Sequence, residues 1–321
     1  MFDFITRELG LVDRAIARAV EGDERTLTGI ANYVVGSGGK RVRPALVLLS
    51  YLAANGERVR KAVPAAAAIE VIHTATLIHD DISDRSEVRR GRPSAHESFG
   101  IGRSLIAADY LMTAAFKLIS NYGVDFLGTI NSACMNMAIG EIQDLRHTGN
   151  AALSEKEYFE IIGRKTGALF EAGVKVGVMA AGAPKPQVAA FGRYGRQVGL
   201  AFQIVDDTLD ACSDGKRLGK PVGKDLREGK VTLPLIFALS NAPQKDRAIL
   251  RRVIASNKRP PPNADVARAL RIVRATGAEA HCREVARKHA ESAKRALSRV
   301  PPSKAKDELM EFADDLAQRG R

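Results

Sequence analysis

A chain of 321 residues, 45 % hydrophobic and 27 % charged, can bury one large core or two modest ones and has the balance of a soluble globular protein. Its net charge of +12 is concentrated late: residues 245–321 hold 19 Lys and Arg against 10 Asp and Glu, whereas the first 244 hold 30 against 27. A basic third could face an anionic membrane or a nucleic acid, but aromatics are 5 % and tryptophan is absent, so nothing suggests a base-stacking platform and solvated helix faces are expected.

In chain order, the N-terminus carries acids where a signal peptide has a basic start and an apolar run, which implies a cytoplasmic location. Helical spacing of apolar residues, at three and four, runs through Ile30–Val35, Ala45–Leu52, Ala65–Leu77, Leu105–Ile119, Ala133–Leu145 and Tyr194–Leu209. Pro64 stands where a first helical turn tolerates it. Breaks fall at Gly36–Gly39, Gly91–Pro93, Gly182–Pro186, Gly215–Gly229 and Pro260–Pro262. Few runs alternate with period two, and no β-branched run has a hairpin turn beside it. The expectation is one all-α domain over residues 1–321. The longest membrane candidate, Leu105–Phe116, falls short of roughly 18 apolar residues and carries Asp109. Cys134, Cys212 and Cys282 are far apart and odd in number, so they read as buried thiols, neither disulfides nor a zinc site.

Two DDxxD motifs carry the chemistry: Asp80-Asp81-Ile82-Ser83-Asp84 and Asp206-Asp207-Thr208-Leu209-Asp210. Each ends an apolar helical segment, and on a helix the first and fifth residues share a face. Three carboxylates in one turn repel each other and sit at the negative end of the helix dipole. Cations must neutralise them, and carboxylate oxygens suit Mg²⁺, which takes one or two of them with phosphate oxygens and water. Two such clusters could grip one diphosphate through bridging metal. Matching cations exist. Gly38-Gly39-Lys40-Arg41-Val42-Arg43-Pro44 offers three basic residues after a glycine turn, and Arg89-Arg90-Gly91-Arg92 follows the first cluster. His73 lies two helical turns before Asp80, and Lys165, Lys220 and Lys230 surround the second cluster in sequence.

Together these residues resemble the trans-isoprenyl diphosphate synthases, specifically their long-chain, octaprenyl-type members. The resemblance runs from about Gly36 to Leu239. It rests on GGKRVRP, on His73–His79 leading into DDISD, on Arg89-Arg90-Gly91, on Lys165-Thr166, on Phe202–Val205 leading into DDTLD, and on Leu218-Gly219-Lys220 and Gly229-Lys230. It implies the isoprenoid synthase fold, an all-α single-domain bundle around a deep central cavity, and a homodimer. It further implies a Mg²⁺-dependent prenyltransferase joining isopentenyl diphosphate to an allylic diphosphate. Three Mg²⁺ per active site are expected, bound by Asp80, Asp84 and Asp206, with Asp81, Asp207 and Asp210 as further ligands or supports. Arg89, Lys165, Lys220 and Lys230 would hold the allylic diphosphate. Lys40, Arg43, His73 and Arg90 would hold that of isopentenyl diphosphate. Thr166 and Gln203 would face the developing carbocation. Two departures from the usual pattern, Ala107-Ala108-Asp109 and an early Gln143, leave supporting roles near Asp109 and Asp144 open.

Ala75 lies roughly 7–8 Å of helix rise below Asp80. It and Thr76 are small, so a growing tail passes; a long-chain product for quinone side chains is expected, with peripheral membrane contact for its release. A geranylgeranyl- or farnesyl-type short-chain synthase is the alternative. A terpene cyclase would not need Lys40, Arg43 and Arg90. A non-catalytic subunit would tend to lose aspartates that are complete here, and a basic membrane-surface protein would bind liposomes without turnover.

Overall fold

Alanine- and leucine-rich segments interrupted by glycine and proline become helices that stop at those interruptions. The computed structural model describes residues 2–213, 222–256 and 261–318. It divides into two compact units. The first comprises Met1–Ser132, Ala172–Gly192 and Arg299–Leu309, and the second Ala133–Glu171, Arg193–Ser298 and Met310–Arg321.

The helices of the first stretch are α1 (Thr6–Ala19), α2 (Arg25–Val35), α3 (Val42–Ala53), α4 (Val63–Ser83), α5 (Ala95–Phe99) and α6 (Ile101–Ile119). In the first unit α4 is central, packing on α1, α3, α5 and α6. Its buried Ala65, Ala66, Ala67 and Ala68, with Ala107, Ala108, Ala114 and Ala115 on α6, are small enough for helix axes to approach closely. Pro64 lies in the first turn of α4, as expected. By length and composition, Val59–Ser83 is the one helix among the described residues that could cross a membrane, rather than the Leu105–Phe116 segment picked out in the sequence. Its apolar stretch is 72 % buried inside the protein, and it ends in the first aspartate motif.

The chain continues through α7 (Val124–His147), α8 (Glu155–Ile162), a turn of π-helix at Gly163–Gly167, α9 (Ala168–Ala180) and α10 (Lys185–Cys212). Gly177 on α9 lies against α3, where a Cβ would come within 2.3 Å of the Ser50 hydroxyl and the Val47 carbonyl. Short α11 (Lys224–Arg227) is followed by α12 (Leu233–Asn241), α13 (Gln244–Ile254), α14 (Asn263–Ala275), α15 (Ala278–Ala296) and α16 (Lys304–Gln318). In the second unit, Tyr158, Ile162, Ile204, Leu233, Leu250 and Val273 belong to one buried cluster, and α12 packs on α8, α13, α14 and α15. Ser154 and Glu157 start α8 with reciprocal side-chain-to-backbone hydrogen bonds.

Two sequence expectations change. A hairpin exists: β1 (Val88–Arg89) pairs antiparallel with β2 (Arg92–Pro93) around an Arg90-Gly91 turn in which both residues have positive φ. Two-residue strands carry no alternation to read, so only the glycine showed in sequence. Cys212 and Cys282 are buried free thiols as expected, but Cys134 is only half-buried. Some of the late basic residues form solvated ion pairs, such as Arg287 with Glu284 and Glu291 and Arg252 with Asp265, as exposed helix faces allow.

Candidate active site

The first motif ends α4. Asp84 caps the helix, its N–H donating to the Asp80 carbonyl at 2.8 Å, so the first and last carboxylates start one turn apart on one face. Asp80 and Asp84 are half-buried, whereas Asp81 is only 4 % exposed. Burying a carboxylate requires a partner, and Arg89 supplies it, donating through Nε at 2.9 Å and through Nη2. The hairpin delivers that arginine from β1.

A basic cluster lies in the same unit. His73, one helical face with Asp80 and Asp84, is half-buried and its pKa is held well below the usual imidazole range. Burial is the main cause, followed by the charges of Arg43, Arg90, Arg89 and Arg41. Arg90 donates to the Ser37 hydroxyl at 3.3 Å and lies over Gly39, where a Cβ would meet its guanidinium at 3.0–3.2 Å. Gly39 has a φ of +151°, so conformation and contact both call for glycine. Burial pushes the Arg90 pKa down; Glu70 opposes this, while Arg41 and Arg89 add to it. Cations gathered closely enough to disfavour one another form an anion-binding site. Lys40 is exposed just before α3, and Arg43 is half-buried in its first turn.

The second motif lies in the last turns of α10. Asp206 is exposed and Asp207 is 4 % exposed. Asp207 accepts from the Tyr158 hydroxyl at 2.7 Å and from Gln203 Nε2 at 2.7 Å, while the Thr166 hydroxyl donates to Gln203 Oε1 at 2.8 Å. Burial raises the Asp207 pKa to about 7, against the lowering effect of the two hydrogen bonds and with a further rise from Asp206 and Asp144. Asp210 accepts backbone N–H bonds from Lys224 and Asp225 at 3.1 and 3.0 Å, fastening the start of α11. Asp225 is pushed well above the usual carboxylate range by burial and by Asp210 and Asp207, with Lys230 pulling the other way. Lys230 pairs with Glu228 at 3.0 Å.

Lys165 sits in the π-helical turn, where the extra residue per turn re-aims side chains. It pairs with Glu141 at 2.6 Å and Asp144 at 2.8 Å, both on α7. Gly140 on α7 lets the π-helical turn approach: a Cβ there would lie 2.6 Å from the Lys165 backbone nitrogen.

Within the first unit, Asp80, Asp81, Asp84, Arg89, His73, Arg43 and Arg90 are thus brought into one neighbourhood. Within the second, Asp206, Asp207, Asp210, Gln203, Thr166, Lys165 and Lys230 share another. Ala75 is fully buried on α4 and Thr76 is half-buried. Lys220 lies outside the described residues. Sequence reading gave no role to Tyr158, Glu141, Asp225 or Glu70 and left Asp144 open, because each meets its partner only through tertiary packing. Asp109 is exposed on α6. Among the described residues no three His, Cys, Asp or Glu side chains form a ready-made metal cage. The outer carboxylates instead offer the few hard oxygen donors that Mg²⁺ uses when phosphate and water complete its shell.

Helical architecture and paired aspartate motifs define a prenyltransferase of the isoprenoid synthase class. A polyprenyl synthetase family profile matches residues 24–273. A short-chain isoprenyl diphosphate synthase of Methanothermobacter thermautotrophicus is 36 % identical across 99 % of this chain and 98 % of its own. The octaprenyl diphosphate synthase of Escherichia coli is 33 % identical over 99 % and 98 %. A polyprenyl synthase structure from Caulobacter crescentus, complexed with calcium and isoprenyl diphosphate, superposes with a TM-score of 0.93 at 33 % identity, covering 99 % of this chain and 96 % of that one. The chain belongs to the polyprenyl synthetase family and is an enzyme of isoprenoid biosynthesis that transfers prenyl groups.

Proposed function

We propose that the protein condenses isopentenyl diphosphate with an allylic diphosphate, using three Mg²⁺ ions, to make a long-chain all-trans polyprenyl diphosphate for quinone side chains. One observation carries this reading: each DDxxD motif engages its central carboxylate inside the protein and leaves outer carboxylates at a helix end. Asp80, Asp84 and Asp206 are the proposed metal ligands, with Asp81, Asp207 and Asp210 supporting them. Bound Mg²⁺ supplies Lewis acidity toward the leaving diphosphate.

Arg89, Lys165 and Lys230, with Lys220, hold the allylic diphosphate and stabilise the charge that builds on it. The allylic C–O bond breaks and its electron pair leaves with the diphosphate. Lys40, Arg43, His73 and Arg90 fix the second diphosphate so that its carbon–carbon double bond lies against the cation. The double bond attacks, a new C–C bond forms, and a proton leaves to the departing diphosphate. The Thr166 and Gln203 oxygens face the transient positive charge.

Small Ala75 and Thr76 support a long product, since neither side chain blocks a tail growing beneath the motif. Relatives of both chain-length classes exist, so product size is the discriminating measurement. Protein incubated with Mg²⁺, labelled isopentenyl diphosphate and allylic primers should yield long prenyl chains, and Ala75→Tyr should shorten them. Unchanged length in that variant would refute the placement, and C15–C20 products from the parent protein would favour the short-chain reading. The assignment of residues 1–321 to one catalytic domain is supported by relatives matching over 99 % of the chain. A homodimer is supported by exposed Met135, Ile139, Ile142 and Leu145 on α7, an apolar stripe at helical spacing. A cytoplasmic location, with membrane contact at product release, belongs to the same reading.

A further inference from the structure

The basic cluster around His73 contains one buried carboxylate that the proposed chemistry does not use. Glu70, 4 % exposed, lies one helical turn before His73 on α4. Its Oε1 accepts from Arg41 Nη1 at 2.9 Å, and Arg41 Nε donates to Asp13 Oδ1 at 2.9 Å. Arg41 stands between Lys40 and Arg43 and caps the start of α3 with a left-handed φ of +49°, rare for a residue with a side chain. Arg90, at the hairpin turn, also has a positive φ of +52°. Two arginines of one cluster are thus held in a sparsely populated backbone region. Conformations of this kind persist only when their surroundings over-determine them.

The two anchors differ in strength. The Asp13 side chain is 52 % exposed and the Glu70 side chain 5 %, so solvent screens the outer pair far more than the inner one. The charge of Glu70 also acts on Arg90. With Arg41 tied through Nη1 to one carboxylate and through Nε to another, that guanidinium is occupied as a fastener, while Lys40 and Arg43 flank it in sequence.

We propose that Glu70 is a positioning residue for the isopentenyl diphosphate site: through Arg41 it fixes the Gly38–Arg43 segment, and with it Lys40 and Arg43, in the arrangement that accepts a diphosphate. The carboxylate acts as an internal counter-anion that keeps the cations gathered before the substrate arrives. This inference rests on the reading of Lys40, Arg43, His73 and Arg90 as that site.

Steady-state kinetics with Mg²⁺, isopentenyl diphosphate and farnesyl diphosphate as primer test it. Glu70→Gln keeps the shape and removes the charge; it should raise KM for isopentenyl diphosphate about tenfold, with KM for farnesyl diphosphate and kcat within about twofold. Arg41→Lys, which keeps a charge but loses the fork, should give a smaller rise of about threefold. The double variant Glu70→Gln/Arg41→Gln should be no worse than Arg41→Gln alone, because the two act as a unit. A rise in both KM values together, a fall in kcat alone, or an unchanged KM for isopentenyl diphosphate would each overturn the proposal. If Glu70→Gln fails to fold by circular dichroism, Arg41→Lys and Asp13→Asn carry the same test, with Asp13→Asn the weaker. Arg43→Ala separates the two levels. If it raises KM for isopentenyl diphosphate and Glu70→Gln does not, only the positioning role is lost; if it too leaves that KM unchanged, the site assignment falls as well.

Discussion

In the Asp80–Asp84 motif the buried central carboxylate is held by a cation, Arg89, brought in on a small hairpin. In the Asp206–Asp210 motif the equally buried Asp207 is held by two neutral donors, Tyr158 and Gln203. Identical spelling therefore hides different electrostatics. The first motif carries its own counter-charge. Around Asp207 the hydrogen-bonding partners are neutral, and burial, with the charges of Asp206 and Asp144, pushes the carboxyl to about 7. A divalent ion near the second motif would relieve a cost that the first has already offset with a guanidinium.

The largest effect should be common to both motifs. Asp80→Ala and Asp206→Ala should each lower kcat by at least about a hundredfold, the scale of losing one electrostatic element aimed at a leaving group. If either variant retained more than a tenth of parental kcat, equal partnership of the motifs would be wrong.

Asp81→Asn and Asp207→Asn sharpen the contrast. The first leaves Arg89, whose side chain is 29 % exposed, without its hydrogen-bonded anion, with only the charges of Asp80 and Asp84 nearby, and should cost about 2 kcal/mol in denaturant unfolding with chelator present. The second removes a poorly tolerated charge while an amide oxygen still accepts a bond; at pH 8 it should change stability by less than about 1 kcal/mol. Equal losses would show that the neutral donors hold their carboxylate as firmly as the arginine does.

The pH dependence should have opposite sign in the two regions. Between an unfolded carboxyl near 3.8 and Asp207 at about 7, the folded protein binds the extra proton, so this group's stability contribution falls as pH rises through that window. His73 is neutral in the fold well below 6.5, so there the unfolded chain binds the extra proton and stability rises with pH toward 6.5. Each slope is bounded at about 1.4 kcal/mol per pH unit for one proton. In metal-free protein, Asp207→Asn should make thermal stability rise more steeply with pH from 5 to 7, and His73→Gln less steeply. Shifts of the same sign would break the comparison.

A similarly small effect is expected of Tyr158→Phe. It removes one of two donors to Asp207 and should cost about 1 kcal/mol in chelator, with the magnesium requirement for turnover moving and the KM for isopentenyl diphosphate staying put.

Much of this was legible along the chain because it is local. Apolar spacing on Ala65–Leu77 and Tyr194–Leu209 gave helices, a glycine turn before Lys40-Arg41-Val42-Arg43 gave a cation cluster, and the i, i+4 rule put Asp80 with Asp84 and Asp206 with Asp210 on shared faces. Partners whose sequence separation is long were not legible. Tyr158 meets Asp207 across 49 residues, Lys165 meets Asp144 across 21 and Arg41 meets Glu70 across 29. No periodicity encodes those distances.

By itself the sequence determined the class of elements, the two carboxylate motifs and the identity of the basic groups, since helix period and residue chemistry are properties of neighbours. Tertiary structure alone decided which aspartate of each motif is spent inside the protein and which arginine is a fastener, as with Asp81 on Arg89 and Arg41 on Glu70. Burial and counter-charge depend on what other helices bring to the spot, and that is fixed only when the core closes.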